Sequence, residues 1–336
     1  MGRGARGPSM HDVAALAHVS HQTVSRVLNG FEGIRPDTRQ RVLDAIDELG
    51  YRRNLAARSL ATGRTGVVGV IAPDNPTFGA TSSLYAVEHA LRDAGLQPLI
   101  TATASRRSSI EAALEFLHGR SVEALVIMAP SRKVLEVHDS MGAEVPTAYL
   151  LTGEERGRWS VSVDQQGGAD LVLEHLYAQG HRRIQHVRGP LDSIEAQLRA
   201  DAYTRFMARH GLARLRMAEG DWSPQSGFEA YRRIDPTATA VFCANDQMAM
   251  GLIHAASDAG MKVPEDLSVV GFDDIPESAH ILPPLTTVKQ DFRAVGMLAV
   301  ALLEATLAGT EPPSTESLEP ELVLRSSVAP VGAAAR

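Results

Sequence analysis

The chain has 336 residues, 44% of them hydrophobic and 22% charged, with a formal net charge of −7 and one cysteine. That composition excludes intrinsic disorder and collagen-like repeats, and the length implies two or three domains. No apolar run approaches the 18 residues of a membrane span; the stretch Ala294 to Leu303 stops at Glu304.

Charge is unevenly spread. Residues 1–64 carry ten Arg, no Lys and six acidic residues, a net of +4, which leaves −11 on the remainder. A basic segment on an acidic body fits a nucleic-acid reader joined to a second module. Met1 to Ser9 lacks the apolar core of a secretory signal, and Cys243 alone makes neither a disulfide nor a Cys-rich zinc site. A cytosolic (cytoplasmic) protein is expected.

Ser9-Met10-His11-Asp12 has the spacing of a capping box, and Val13, Leu16 and Ala17 continue it as a short helix to about His18. Ser20 caps a second helix through Thr23, Val24 and Val27. Its apolar side would hold Val24, Val27 and Leu28, turning His21, Gln22, Ser25 and Arg26 outward. Gly30 and Gly33 bracket a loop. Pro36 then opens a third helix, with Val42, Leu43, Ile46 and Leu49 on one face and Gly50 ending it. Three short helices with a tight first connection match a helix-turn-helix, whose second helix presents its first residues to the major groove. Gln suits adenine and Arg guanine, while Ser and Thr serve bases or phosphates.

The string HDVAALAHVSHQTVSRVLNG, continued by RPDTRQRVLDAIDELGYRRNLAARSLATGRTGVVGV, closely resembles the DNA-binding signature of the lactose-repressor family. The resemblance assigns DNA contact to Ser9, Met10, Ser20, His21, Gln22, Thr23, Ser25, Arg26 and Asn29. It also implies a hinge helix from Asn54 to about Ala61, carrying Asn54, Ala57 and a minor-groove wedge at Leu60. So short a helix needs a partner and DNA to persist. Arg53 stands where the family has Pro.

From Thr65 onward strands alternate with helices. Gly66–Ala72, Gln97–Ala102, Val122–Met128, Arg183–Val187, Ala238–Ala244 and Leu267–Gly271 read as strands. Ser83–Ala94, Ile110–Leu117, Ala196–His210 and Gln247–Ala259 read as helices. Repeated βαβ units imply an α/β body of parallel sheets flanked by helices, its ligand held at the strand C-terminal ends. Gly66-Val67-Val68-Gly69 lacks dinucleotide-binding spacing, no Walker lysine, HExxH or GxSxG occurs, and the 12 His lack metal-ligand spacing. No enzyme, cofactor or metal is expected.

GDWSPQSGFEA, CANDQMAMG, PEDLSVVGFDD and PPLTTVKQDFRAVG extend the resemblance through the body. The first and last are closest to the member that gives the family its name. The resemblance implies a helix-turn-helix head (9–53), a hinge (54–64) and a two-lobed, periplasmic-binding-protein-like body (65–336). The N-lobe would hold about 65–163 and 292–319, the C-lobe about 164–291 and 320–330. It assigns saccharide contact to Arg199, Trp222, Asn245, Asp273, Gln290 and Phe292, with Phe78 on a divergent wall. Asp273 and Asp246 equally suit capping, Trp222 a lobe core, and Gln290 and Phe292 a crossover.

Leu151 replaces an acidic residue, and IAPDNPTFG, with Pro73, Asp74 and Phe78, replaces a Ser-rich stretch, so the sugar need not be a galactoside. The expected function is a repressor of a sugar-utilisation operon, released by a saccharide such as a disaccharide or galactoside-like inducer. A family regulator using a nucleobase or phosphosugar co-repressor, or a sugar-binding protein without a regulatory role, stays open. The sequence shows no leucine-heptad tail after LEPELVLRSSVAP, so a homodimer on a double-stranded, pseudo-palindromic operator is expected, with no membrane partner.

Overall fold

The computed structural model describes residues 7–28, 30–52, 63–75, 77–128, 131–142, 145–150, 159–311, 313 and 317–332. The chain forms two compact units, Met1–Thr65 and Gly66–Arg336. Asn29, Arg53, Asn54, Ala57, Leu60 and Leu151 lie outside the described residues.

The first unit contains α1 (Met10–Leu16), α2 (His21–Leu28) and α3 (Pro36–Leu49). Ser9 caps α1 in a full capping box with Asp12, and the Thr23 amide donates to Ser20 Oγ at 3.1 Å where α2 begins. Gly50 ends α3 at φ 59°, the left-handed conformation that glycine adopts without a Cβ clash. Val13, Ala17, Val24, Val27, Val42 and Ala45 close one apolar core, with Leu28 half-buried at its edge. Helix α1 ends two residues short of the expected His18, whose own φ of 50° stops it.

The second unit is built on two parallel sheets. The first has strand order β2 (Gln97–Thr103), β1 (Val67–Pro73), β3 (Ala124–Met128), β4 (Thr147–Leu150), β5 (Ser160–Val161). The second runs β7 (Ala218–Glu219), β6 (Ile184–Arg188), β8 (Ala240–Cys243), β9 (Ser268–Val270). Both turn back beside their first strand, and such reversal points open a crevice outside the strand C-terminal ends.

Helices cover both faces of each sheet. On the first lie α4 (Phe78–Asp93), α5 (Arg107–His118) and α6 (Arg132–Met141); on the second α7 (Gln165–Ala178), α8 (Ile194–Arg209), α9 (Pro224–Ala230) and α10 (Asp246–Asp258). Helix α11 (Phe292–Ala308) returns late in the chain to the first sheet, where Val295, Ala299 and Leu303 share a core with Val87 and Leu91 of α4. The chain crosses between the layers beside Val163, which bridges Leu318, and through β10 (Thr287–Lys289), paired antiparallel with β11 (Glu321–Val323).

The strands and helices expected from apolar periodicity are all present, most shifted by one or two residues at their ends. Helix α4 starts five residues earlier than expected, because Thr77 caps it by accepting the Ala80 amide. Helices α6, α7, α9 and α11 escaped the periodicity. The paired glycines of α7 and the Pro-Gln-Ser-Gly opening of α9 look like loop sequence, and tertiary packing overrides that weak preference. Gly168 admits Phe272 against α7, while Gly227 and Gly251 let α9 and α10 cross at backbone contact.

That crossing gives a test of the fold. A methyl at Gly251 would strike the Pro224 carbonyl, which has no freedom to rotate away. Gly251→Ala is expected to destabilise the body by about 1–3 kcal/mol, visible as a lowered denaturant midpoint. A midpoint equal to the parent's would contradict the close crossing.

Candidate nucleic-acid interface and effector site

In the first unit, α2 divides its side chains by burial. Val24 and Val27 are buried, Thr23 and Ser25 are intermediate, and His21, Gln22 and Arg26 are exposed. Gln22 and Arg26 are one turn apart on the same face. His21 stacks on His11 at 4.6 Å between ring centroids, and Arg26 stands 5.4 Å from the Phe31 ring, so two of the exposed groups are braced. Ser9, Ser20 and Thr23 spend side-chain bonds on helix caps: Ser20 Oγ and Thr23 Oγ1 are 2.9 Å apart. Met10 packs partly on the core. The exposed face of α2 is built on His21, Gln22 and Arg26.

In the second unit, a cavity of about 200 Å³ opens where strands of both sheets end. Pro73 ends β1 and Asp74 and Asn75 follow it, Ser105 follows β2 and Ser131 follows β3. Pro190 and Asp192 follow β6, Trp222 follows β7, Asn245 follows β8 and Asp273 follows β9. Six of the seven expected saccharide residues line it: Arg199, Trp222, Asn245, Asp273, Gln290 and Phe292. Phe78 is the exception. Its ring lies edge-on to Phe292 at 5.9 Å and supports the wall from behind.

The polar floor is one hydrogen-bonded chain. Arg199 Nε and Nη2 donate to Gln165 Oε1 at 2.8 and 2.6 Å. Gln165 Nε2 donates to Gln290 Oε1 at 2.8 Å, and Gln290 Nε2 donates to Asp273 Oδ1 at 2.7 Å. Arg199 Nη1 donates to the Ala244 carbonyl, and its guanidinium lies 3.8 Å from the Phe272 ring centroid. Burial lowers the Arg199 pKa, opposed by Glu195, Asp273 and Asp246. Burial likewise pushes Asp273 up to about 8, against the pull of Arg199. Asp273 is therefore mostly protonated near pH 7, able to donate as well as accept.

Asn245 is the N-cap of α10. Its Oδ1 accepts the Met248 amide and its Nδ2 donates to the Trp222 carbonyl, both at 3.0 Å. That second bond, the φ of 75° at Trp222 and the side-chain-free approach at Gly189 together fix the indole against the cavity. Asp246, the capping alternative, is structural: it accepts from Ser278 Oγ, Thr287 Oγ1 and the Ile275 amide, and burial pushes its pKa up to about 6.

Sequence reasoning missed Gln165 and Glu195. Glu195 sits one helical turn before Arg199 in SIEAQLRAD, so its i, i+4 spacing was a usable signal. Its carboxyl pKa is raised by burial, with Arg199 opposing. Gln165 had no local signal, because its partners lie 34 and 125 residues away.

Comparison with known proteins places this geometry. The model of bacterial regulatory proteins of the lacI family matches residues 9–54, and that of a periplasmic binding protein-like domain matches 173–328. The lactose operon repressor of Escherichia coli K12 is 34% identical over 330 residues, covering 95% of this chain and 90% of the relative. The chain belongs to the lactose-repressor family. It is a DNA-binding transcriptional regulator, not an enzyme. A lac repressor dimer bound to operator and an anti-inducer superposes with a TM-score of 0.88 at 31% identity, covering 96% of this chain and all of that one. A transcriptional regulator CelR–cellobiose complex superposes at 0.70 with 30% identity, covering 95% and 99%. No helix among the described residues is long and apolar enough to cross a membrane.

The raised Asp273 pKa yields a signed prediction. An acid whose pKa is higher folded than unfolded holds its proton longer in the native state. Its contribution is fully present below the usual carboxylate range and is lost as pH rises through about 8. Asp273→Asn removes that loss, so the variant's melting temperature relative to the parent's should climb between pH 5 and pH 8. A constant difference across that range would contradict a buried, protonated Asp273.

Proposed function

We propose that this regulator represses a sugar-utilisation operon and is released from its operator by a saccharide bound at the body cavity. The observation that carries the reading is the buried Arg199–Gln165–Gln290–Asp273 chain. It gives the cavity a fixed row of amide and carboxyl groups, with Trp222 and Phe292 for the C–H face of a sugar ring. Sugar hydroxyls both donate and accept, and a protonated Asp273 matches that ambivalence. The complex of CelR with cellobiose, a family member of similar fold, supports the same ligand class.

The protein works as a homodimer on a pseudo-palindromic operator, a reading supported by the lac repressor dimer bound to operator that shares its fold. Two surface features of the body accord with self-association. Tyr85 of α4 and Met297 of α11 are 63% and 54% exposed on one shared groove. We read 9–53 as the head, 54–64 as the hinge and the remainder as the effector-binding body, its lobes divided at about 163, 291 and 319. The saccharide stabilises one arrangement of the lobes over another, and its differential affinity, about 1–3 kcal/mol per site, is the energy available to shift the operator equilibrium.

Two substitutions separate the functions. Gln22→Ala or Arg26→Ala should weaken binding to an operator selected from random DNA by about 1–3 kcal/mol and random duplex far less, measured by fluorescence anisotropy. Equal losses on both would remove the base-reading role. Asp273→Ala should keep operator affinity and abolish saccharide release; a fully inducible variant would remove Asp273 from the site.

A further inference from the structure

The exposed side of the head carries two histidines packed on one another. His11 lies in the first turn of α1, and His21 opens α2. Both residues are exposed, yet their rings stack at 4.6 Å between centroids with 28° between planes. Among the described residues neither imidazole makes a hydrogen bond or an ion pair. The stack therefore stands at the surface, next to Gln22 in the chain, with ring nitrogens that no protein group answers.

Histidine is the side chain whose charge ordinarily changes between pH 5 and 8. Two imidazolium rings stacked this closely would repel, so the pair accepts one proton and not two. The charged groups around the stack are engaged elsewhere. Asp12, beside His11, accepts from the Ser9 amide and the Ser9 hydroxyl, both at 2.7 Å. On α2 the charged neighbour is Arg26, itself a cation, which stands over the Phe31 ring. Helix α3 meets both helices on their buried side through Val42 and Ala45. Its Arg39 donates to the Phe31 carbonyl at 2.7 Å, and its Asp44 accepts from Gln40 at 2.8 Å. A duplex brings the anions that the head does not offer the stack. DNA carries one negative charge per roughly 1.7 Å of helix axis, and negative charge nearby favours a protonated ring.

We infer that His11 and His21 form one proton-accepting site, which takes a proton from solvent onto an imidazole nitrogen as the operator closes on α2 and returns it on release. Operator affinity is then coupled to pH through the head, without any part played by the effector cavity. The inference rests on the reading of the exposed α2 face as the surface that meets DNA. His21 touches the duplex. His11 is a positioning residue, whose ring holds His21 at the start of α2 and shares its charge.

Fluorescence anisotropy of the full-length protein on an operator selected from random DNA tests it, at fixed ionic strength and without saccharide. Binding should strengthen about three- to tenfold from pH 8 to pH 6, a fraction of the roughly tenfold per pH unit that one whole proton gives. Calorimetry in two buffers of unlike ionisation enthalpy should return the same fraction of a proton taken up. His11→Phe and His21→Phe each keep a stacking ring that cannot hold a proton, and each should flatten the profile to within about twofold. His21→Gln serves the same test should a Phe variant change the far-UV circular dichroism. His18→Gln, at a third exposed histidine of the head, should leave the slope as it was, and Gln22→Ala should weaken binding by one factor at every pH. A flat parent profile, or a slope that survives His11→Phe or the His21 variants, overturns the inference and leaves the DNA-facing reading of α2 standing. Operator affinity unchanged in Gln22→Ala at every pH overturns both.

Discussion

Arg199 is 2% exposed, and a guanidinium brings five N–H donors that water can no longer satisfy. The protein answers them with Gln165 and the Ala244 carbonyl, and lays the cation on the Phe272 ring. Each answer recruits another element. Gln165 opens α7, Ala244 follows β8, and Phe272 stands between β9 and Asp273. Gln165 then holds Gln290, which holds Asp273. Two of these four side chains lie at the places where the chain passes between the sheet layers. The same hydrogen bonds that shape the cavity floor therefore tie the crossovers together.

The aromatic wall depends on backbone conformations that side chains resist. Trp222 and Asp273 have φ values of 75° and 117°, outside the conformations a non-glycine residue prefers. Such positions cost free energy and persist where the surroundings over-determine them. Here the determinants are visible: the Asn245 amide on the Trp222 carbonyl, and the Asp273 amide on the Val288 carbonyl at 2.7 Å. Both residues line one cavity, so two of the body's positive-φ side-chain-bearing residues stand in its wall.

Much of this was legible in the sequence, for unequal reasons. Helical spacing and capping chemistry located α1 to α3 and the outward face of α2, because those signals span only a few residues. Buried strands announced themselves as apolar runs. Family motifs brought Arg199, Asn245, Asp273 and Gln290 to one site, and the structure places all four around a single cavity. Local pattern failed where long-range contacts decide. Phe78 looked like a wall residue and is a support, since the Thr77 cap turns its ring towards Phe292. Gln165 carried no signal, because its meaning comes from partners elsewhere in the chain.

The formal charge of the cleft misstates its chemistry. Asp74, Asp192, Glu195 and Asp273 line the cavity against one arginine, which suggests an electronegative site hostile to anions. Burial changes the balance. Asp273 is pushed up to about 8, and Glu195 is raised by the same cause. Each therefore holds its proton to a higher pH than an exposed acid. Asp246 never enters the count, since its oxygens are spent on Ser278, Thr287 and the Ile275 amide. At the rim stand Asp74 and Asp192, and at the floor Arg199 lies beside Glu195. Charge at the solvent-exposed rim is screened while charge at the buried floor is not, so the hydrogen-bonded Arg199 floor, more than the formal count of carboxylates, sets what the cavity can hold.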